Sequence, residues 1–417
     1  MKRIIIEQKR DKLMFAMLEE SLLTEFYMEQ PQKKQLVGNI YKAKVMNVLP
    51  GMQAAFVSIG HEKNAFLYID DVLPAHLEKV PKIKPSIRDL LREGQEIVVQ
   101  VAKDPMESKG ARVTTHYSLP GRWLVYMPNA DYVAVSKKIV SDSEQERLKR
   151  IGEQIRQPGE GLIVRTVAEV ANLEALEEDL NALREVWQTM LQRVPGSKAP
   201  QLLHAEQSLA QRLLRDTLTD QIEEVWLSKS LDIERLQHYV GSLSPLLEKR
   251  LNVFPENISK MREFGVPEEL ERAYRNKIRL SSGGFLRVDR TEALTVIDVN
   301  TGKYTGSTGL DDTVFETNLE AASAIAWLLR LRDIGGIVII DFIDMAKEEH
   351  RQAVTGRLLE AAKSDRTRLQ IVGWTRLGLL EMTRMKVRAN LDAVMLEHCS
   401  ACGSQSAKAP ELSSWFV

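Results

Sequence analysis

Two stretches decide how this chain reads: Leu294-Thr295-Val296-Ile297-Asp298-Val299-Asn300 and Ile337-Val338-Ile339-Ile340-Asp341. Both are short aliphatic runs rich in β-branched residues, so both predict buried strands, and both run into an aspartate. Between them, Thr313 to Asp333 has the spacing of one strong helix, closed by Ile334-Gly335-Gly336. Lys347 to Ser364 predicts another helix and Leu369 to Gly373 a further strand, so the last third of the chain is α/β. In such sheets ligands gather at the carboxyl ends of strands. If the two strands are neighbours, Asp298 and Asp341 point at one place, where two carboxylates repel unless a cation or a proton lies between them. Mg²⁺ suits oxygen ligands and phosphate substrates, takes one or two carboxylates and keeps several waters. It can activate a water and stabilise developing phosphorane charge. Asn300 then has a scissile phosphate or the attacking water to hold. An aspartate at a strand end more often caps a turn or the next helix; two, each closing an aliphatic run, favour metal. Asp344 is a third candidate, with N-cap of the helix near Lys347 an equal reading.

Outward from this region, Arg3 to Glu7 and Leu13 to Leu18 read as strands. From Leu36 to Thr115, about five short β-rich runs alternate with turns, which suggests a small closed barrel of OB type. It carries Phe56, Phe66 and Tyr68 among Lys42, Lys44, Lys63, Lys103, Lys109 and Arg112. Aromatics on a basic barrel face suit base stacking along a single nucleic-acid strand, at roughly 1–3 kcal/mol per base. The phenylalanines filling the barrel core is an even alternative. Tyr117 to Val140 reads as strands, Ser141 to Glu144 as a helix start, and Gly161 to Thr166 as a buried strand. Arg165 and Thr166 end that strand, a guanidinium fork and a hydroxyl able to grip a phosphate, although a plain surface Arg is the default. Asn172 caps a long amphipathic helix with Leu173, Leu176, Leu180, Leu183 and Trp187 at helical spacing, and Gln201 to Val253 is helix-rich with one strand at Ile222 to Leu227.

Composition bounds the rest. The 417 residues suggest more than one folding unit, and 57 Lys plus Arg against 58 Asp plus Glu leave a charge of −1, which excludes a uniformly basic binder. A basic groove offset by acidic faces is still allowed. No apolar stretch approaches the roughly 18 residues of a membrane span, and Met1 to Arg10 lacks the apolar core of a signal peptide. Two cysteines exclude a disulfide scaffold, and a reducing cytoplasm is expected. They form a CxxC knuckle, Cys399 and Cys402, half of a tetrahedral zinc site; a symmetric dimer would supply the other half. Two incidental thiols is the plainer reading. No P-loop, GxGxxG or HxxxH spacing occurs, so nucleotide hydrolysis is not indicated.

Larger segments carry a resemblance. Leu294 to Gly302, Thr317 to Ala322, Leu329 to Met345, Leu377 to Arg384, Ala54 to Val57 and Gly161 to Thr166 together resemble the ribonuclease E/G family, from near residue 3 to residue 403, and are closest to its shorter G type. The resemblance implies a Mg²⁺-dependent endoribonuclease of RNA processing and decay that cuts single-stranded RNA, prefers a 5′-monophosphate and leaves 5′-phosphate and 3′-hydroxyl ends. It implies an α+β multidomain fold: a split RNase H-like domain (1–34 and 213–277), an inserted OB-type barrel (35–116), a 5′-sensor domain (117–212), a DNase I-like α/β catalytic domain (278–395), a zinc-link knuckle (396–405) and a tail (406–417). By position, Asp298 and Asp341 match the Mg²⁺ ligands and Asn300 the third catalytic residue. Arg165 and Thr166 match the 5′-phosphate grip, and Phe56, Phe66 and Lys109 the RNA clamp. Cys399 and Cys402 match the Zn²⁺ link of a homodimer, with a higher oligomer left open. Ser400 and Ser404-Gln405-Ser406 depart from the family's usual residues around the link. A non-catalytic RNA-binding protein of the same architecture and a DNA endonuclease are the competing readings.

Overall fold

The computed structural model describes residues 1–10, 12–29, 36–73, 85–105, 109–139, 141–219, 221–243, 245–275, 277–291, 293–302, 310–385, 397–398 and 405–406. The fold is mixed α+β and divides into two compact units: 33–217, and a discontinuous unit of 1–32 with 218–417.

In the inserted unit, the strands Ile40–Leu49, Ala54–Ser58, Ala65–Tyr68, Arg112–Thr114 and Glu96–Lys103 follow one another in hydrogen-bonded order, and the last pairs back onto the first. This closes a five-stranded barrel of OB type, and closure removes the unpaired edges. Alternate residues fill it: Ala55 and Val57, Ala65 and Leu67, Val99 and Val101, Val113. The intervening Phe56 and Phe66 therefore lie on the outside, whereas Tyr68 packs against the barrel core. Core filling by the two phenylalanines is thus overturned by the period-two alternation of the strands.

The second part of this unit is a four-stranded sheet, Val133–Val135, Gly161–Val164, Leu124–Met127 and Leu119–Pro120, with helices Asp142–Ile155 and Leu173–Arg193. Ser141 and Asn172 cap those helices by accepting from the Glu144 and Ala175 N–H groups. The long helix contributes Leu176, Leu180 and Trp187 to the core, as its spacing predicts. Its Asp179 turns back to accept from the backbone N–H of Arg122, Trp123 and Leu124. The helix-rich reading of 201–253 misses two short strands, Gln201–His204 and Leu251–Phe254, each too brief for a period to show.

The discontinuous unit contains two sheets sharing one hydrophobic core. The first runs Leu251–Phe254, Ile222–Ser228, Lys2–Lys9, Lys12–Glu19, Leu22–Glu29. Leu22–Glu29 is not signalled in the sequence because it buries two polar residues, Thr24 and Glu25, inside its apolar run. The second sheet runs Ile278–Arg279, Phe285–Arg290, Leu294–Asn300, Gly336–Asp341, Leu380–Arg384, Leu369–Trp374. Leu294–Asn300 and Gly336–Asp341 are parallel, joined through the 22-residue helix Leu310–Leu331, as parallel neighbours require a crossover. That helix ends where Asp333 takes a positive φ and Gly336, also at positive φ, opens the next strand.

The expectation that both aspartate-ending strands are buried holds for one face only. Thr295, Ile297, Val299, Val338 and Ile340 are buried, and their apolar members pack with Ala321, Ile325 and Leu358 of the helices. On the other face Ile337 is half exposed and Asp341 is open. The aliphatic residues of that face mimic a doubly buried strand in the sequence.

Candidate active site

The parallel register sets Asp298 directly opposite Asp341. Paired residues in neighbouring strands share a face, and the alternation puts both, with Asn300, on the face turned away from the core. Asn300 Nδ2 donates to Asp298 Oδ2 at 2.8 Å, which fixes the rotamer of that carboxylate. Burial pushes the Asp341 carboxyl above its ordinary range, and the negative charges of Asp298 and Asp344 push it further. Among the described residues no Lys or Arg forms an ion pair with any of the three. The reading of Asp344 as an N-cap does not hold: Lys347 occupies that position, without a side-chain cap, and the helix is Glu348–Ala361.

Among the described residues no group of three or more His, Cys, Asp or Glu is arranged around a metal position. A two-carboxylate site completed by water and substrate is what the geometry allows, and it fits a hard cation of oxygen preference. The uncompensated charge around Asp341 is the observation that such an ion would relieve.

Two residues that the sequence reading left as part of a helix motif, one buried and one half-buried, hold this corner together. Asn318 of the Leu310–Leu331 helix is fully buried. Its Nδ2 donates to the Ile343 carbonyl at 2.8 Å, and the Ile343 N–H donates to its Oδ1 at 3.1 Å. The amide so imitates a strand partner for the backbone between Asp341 and Asp344. Two residues on, Glu320 accepts from the backbone N–H groups of Ser281 and Ser282 at 2.5 and 3.0 Å. Burial raises this carboxyl, but the Ser282 hydroxyl and the two N–H groups outweigh it and hold it below the ordinary range. The loop so anchored abuts the end of the Asp298 strand: a Cβ on Gly284 would stand 2.7 Å from the Asn300 carbonyl oxygen. The signal was present in Thr317-Asn318-Leu319-Glu320, where polar residues interrupt an apolar helix, but nothing local says which loops they reach.

The remaining candidates lie in the inserted unit. Phe56 and Phe66 are cross-strand partners with ring centroids 5.8 Å apart, edge to face. Lys109 is exposed just before Arg112–Thr114, whose Arg112 pairs in register with Phe66. Arg165 ends the Gly161–Val164 strand and is not a free surface arginine. Its Nη1 donates to the Gly121 carbonyl and its Nη2 to Asp216 Oδ1, both at 2.6 Å. Burial pushes Asp216 up, but Arg165 and Arg215 prevail and draw it down to about 2. Thr166 shares a 2.8 Å hydroxyl–hydroxyl hydrogen bond with Ser136. Cys399 and Cys402 lie outside the described residues; the flanking pairs Glu397–His398 and Gln405–Ser406 form a short antiparallel ladder.

Carboxylates paired across two neighbouring parallel strands of a mixed sheet, on a chain that also carries an OB-type barrel with outward aromatics, suit work on a nucleic acid. Comparison with known proteins makes the class specific. The model of the Ribonuclease E/G family matches residues 118–387. Ribonuclease G of Escherichia coli (strain K12) is 41% identical over 393 residues, covering 93% of this chain and 80% of that protein. Ribonuclease G of Haemophilus influenzae is 41% identical over 394 residues with the same coverage. Ribonuclease E of Escherichia coli (strain K12) is 36% identical over 409 residues, which is 96% of this chain but 38% of that protein. The chain belongs to the ribonuclease E/G family.

Proposed function

We propose that this endoribonuclease hydrolyses single-stranded RNA on the open sheet face, with Asp298 and Asp341 sharing one Mg²⁺. The observation that carries the reading is the in-register pair Asp298–Asp341, with neither carboxylate in an ion pair with a Lys or Arg among the described residues. Bound there, the ion would lower the pKa of a coordinated water and neutralise charge developing on the phosphate. Asn300 orients the Asp298 carboxylate and has a second N–H for a phosphate oxygen. Asn318 and Glu320 keep the two loops at the strand ends from drifting. In-line attack of water on the phosphodiester leaves a 5′-phosphate on one fragment and a 3′-hydroxyl on the other.

Phe56 and Phe66 offer ring faces and Lys109 a charge for clamping the strand, and Arg165 with Thr166 grips a 5′-monophosphate. On this reading the chain is divided into an RNase H-like domain (1–34 and 213–277), an OB-type barrel (35–116), a 5′ sensor (117–212), a DNase I-like catalytic domain (278–395) and a zinc link (396–405). Cys399 and Cys402 hold a shared Zn²⁺ in a homodimer, and the enzyme works in the cytoplasm on RNA precursors and messages. Among the described residues no helix is long and apolar enough to cross a membrane. The test is cleavage of a 5′-monophosphorylated oligoribonucleotide in Mg²⁺ by the parent and by Asp298→Asn. Loss of cutting with RNA binding retained is expected; a variant that cuts at the parental rate would end the proposal.

A further inference from the structure

The strand beside the paired aspartates presents side chains that neither the core nor the cleavage chemistry uses. Phe285–Arg290 runs antiparallel to Leu294–Asn300, with Phe285 opposite Asn300 and Arg287 opposite Asp298. Cross-strand partners share a face, with Cβ atoms about 4.5–5.5 Å apart. Leu286, between them, is buried in the core. Phe285 and Arg287 therefore stand on the open face next to the carboxylates. The Phe285 ring is half-buried beside Gly302, and Lys277 Nζ lies 4.7 Å from its centroid. Arg287 is exposed; its one ion pair among the described residues is with Asp289 at 3.6 Å, open to water and worth little.

We propose that Phe285, Arg287 and Lys277 form a binding subsite for the nucleotide next to the scissile phosphate, Phe285 stacking its base and the two cations meeting flanking phosphate oxygens. The inference rests on the reading of Asp298 and Asp341 as the cleavage centre. Neighbouring strands are about 4.8 Å apart, so RNA leaving a phosphate held at Asp298 crosses the adjacent strand on one side or the other. Beyond Asp341 the same face offers Ile339 and, opposite it, Glu381, a carboxylate that repels a polyanion. Toward Phe285 it offers an aromatic face and two positive charges, the combination that single-stranded nucleic acid favours.

The test is binding of a short 5′-hydroxylated single-stranded oligoribonucleotide to full-length protein in the Asp298→Asn background. Phe285→Leu keeps apolar volume and removes the stacking surface, and affinity is expected to fall about fivefold or more. Arg287→Gln, at an exposed site where folding is not at stake, is expected to weaken binding several-fold. It should also flatten the slope of log Kd against log salt by about 0.7, the value for one phosphate contact on a single strand. Parental affinity and parental salt slope in both variants overturn the subsite. Persistent cleavage by Asp298→Asn in the otherwise parental chain overturns the cleavage centre instead, so the two failures are separable.

Discussion

Replacing Asn318 by Asp alters one group and tests how the corner around Asp341 is held. The carboxylate keeps the oxygen that accepts the Ile343 N–H but replaces the amide donor to the Ile343 carbonyl with a second acceptor. One hydrogen bond is lost, at about 1 kcal/mol, and a buried carbonyl is left unsatisfied, at about 1–3 kcal/mol, so roughly 2–4 kcal/mol is at stake at neutral pH. A carboxyl buried at this position favours its neutral form, so its folded pKa lies above its unfolded value of about 3.9. A raised pKa contributes stability that is present below the unfolded value and lost as pH rises through the folded one. The protonated acid can also donate to Ile343. The deficit against the parent is therefore expected to be largest at neutral pH and to shrink on acidification, read by urea midpoints over a pH series. Asn318→Leu, which cannot titrate, should show a deficit that does not depend on pH. In cleavage assays, a loop displaced by about 1 Å costs on the order of a hundredfold, and the Mg²⁺ requirement should rise with it. An Asn318→Asp protein as stable as the parent at neutral pH, or with a deficit indifferent to pH, would refute the reasoning.

Three further outcomes are expected. Asp341 has a raised pKa, so its ionisation opposes folding as pH rises through that value; Asp341→Asn should raise Tm in EDTA, remove the Mg²⁺-dependent gain in Tm and abolish cleavage, all readable by thermal melting and a gel assay. Asp216 has a lowered pKa, so its contribution is present above the ordinary carboxylate range and fades as pH falls toward 2. Asp216→Asn should loosen Arg165 and narrow the kcat/KM ratio between monophosphorylated and hydroxylated oligonucleotides, and an unchanged ratio counts against the sensor role. Arg384 is buried between Asp365 and Asp333, at 2.7 Å from each, so Arg384→Met removes the cation that faces two carboxylates. A cost of about 3–5 kcal/mol is expected from denaturant unfolding.

The placement of Asp298, Asn300 and Asp341 at strand ends was legible because a strand's period of two and its end are local properties, whereas the pairing of the two strands, which brings the acids together, was not. The caps Ser141 and Asn172 were legible because they too are local. Which face of the Gly336–Asp341 strand meets the core was not legible, since Ile337 and Ile339 read like any buried isoleucine although the first is half exposed. The phenylalanines of the barrel could not be placed inside or outside until the register of Ala54–Ser58 was known. Asn318 and Glu320 escaped because their partners, Ile343, Ser281 and Ser282, are distant in sequence. A polar residue inside an apolar helix announces a partner without naming it. Arg165 needed Asp216, whose acidity lies unremarked in a helical segment.

The case for a cation between Asp298 and Asp341 is strongest when those acids are set beside others in the same unit. Glu25 is buried, and burial raises its pKa, yet Arg366 and Arg330 close on it and hold it below the ordinary range. Asp365 and Asp333 receive Arg384. Glu7 accepts from the Ser259 hydroxyl and the Met261 N–H, and Lys9 and Arg262 also draw it down, although burial still leaves it raised. This chain evidently has the means to match a buried acid with a partner, and arginine is its usual choice. At the open ends of the two parallel strands it does the opposite. Asp298 and Asp344 raise the proton affinity of Asp341, the Asn300 amide orients rather than neutralises, and the arginine across the strand, Arg287, makes its ion pair with Asp289 rather than with Asp298. A folded protein tolerates that repulsion where the missing charge arrives from solution. If the charge were instead supplied by the chain, Asp341→Asn would remove a paired carboxylate and lower Tm in EDTA or leave it unchanged, and the melting experiment decides between the two.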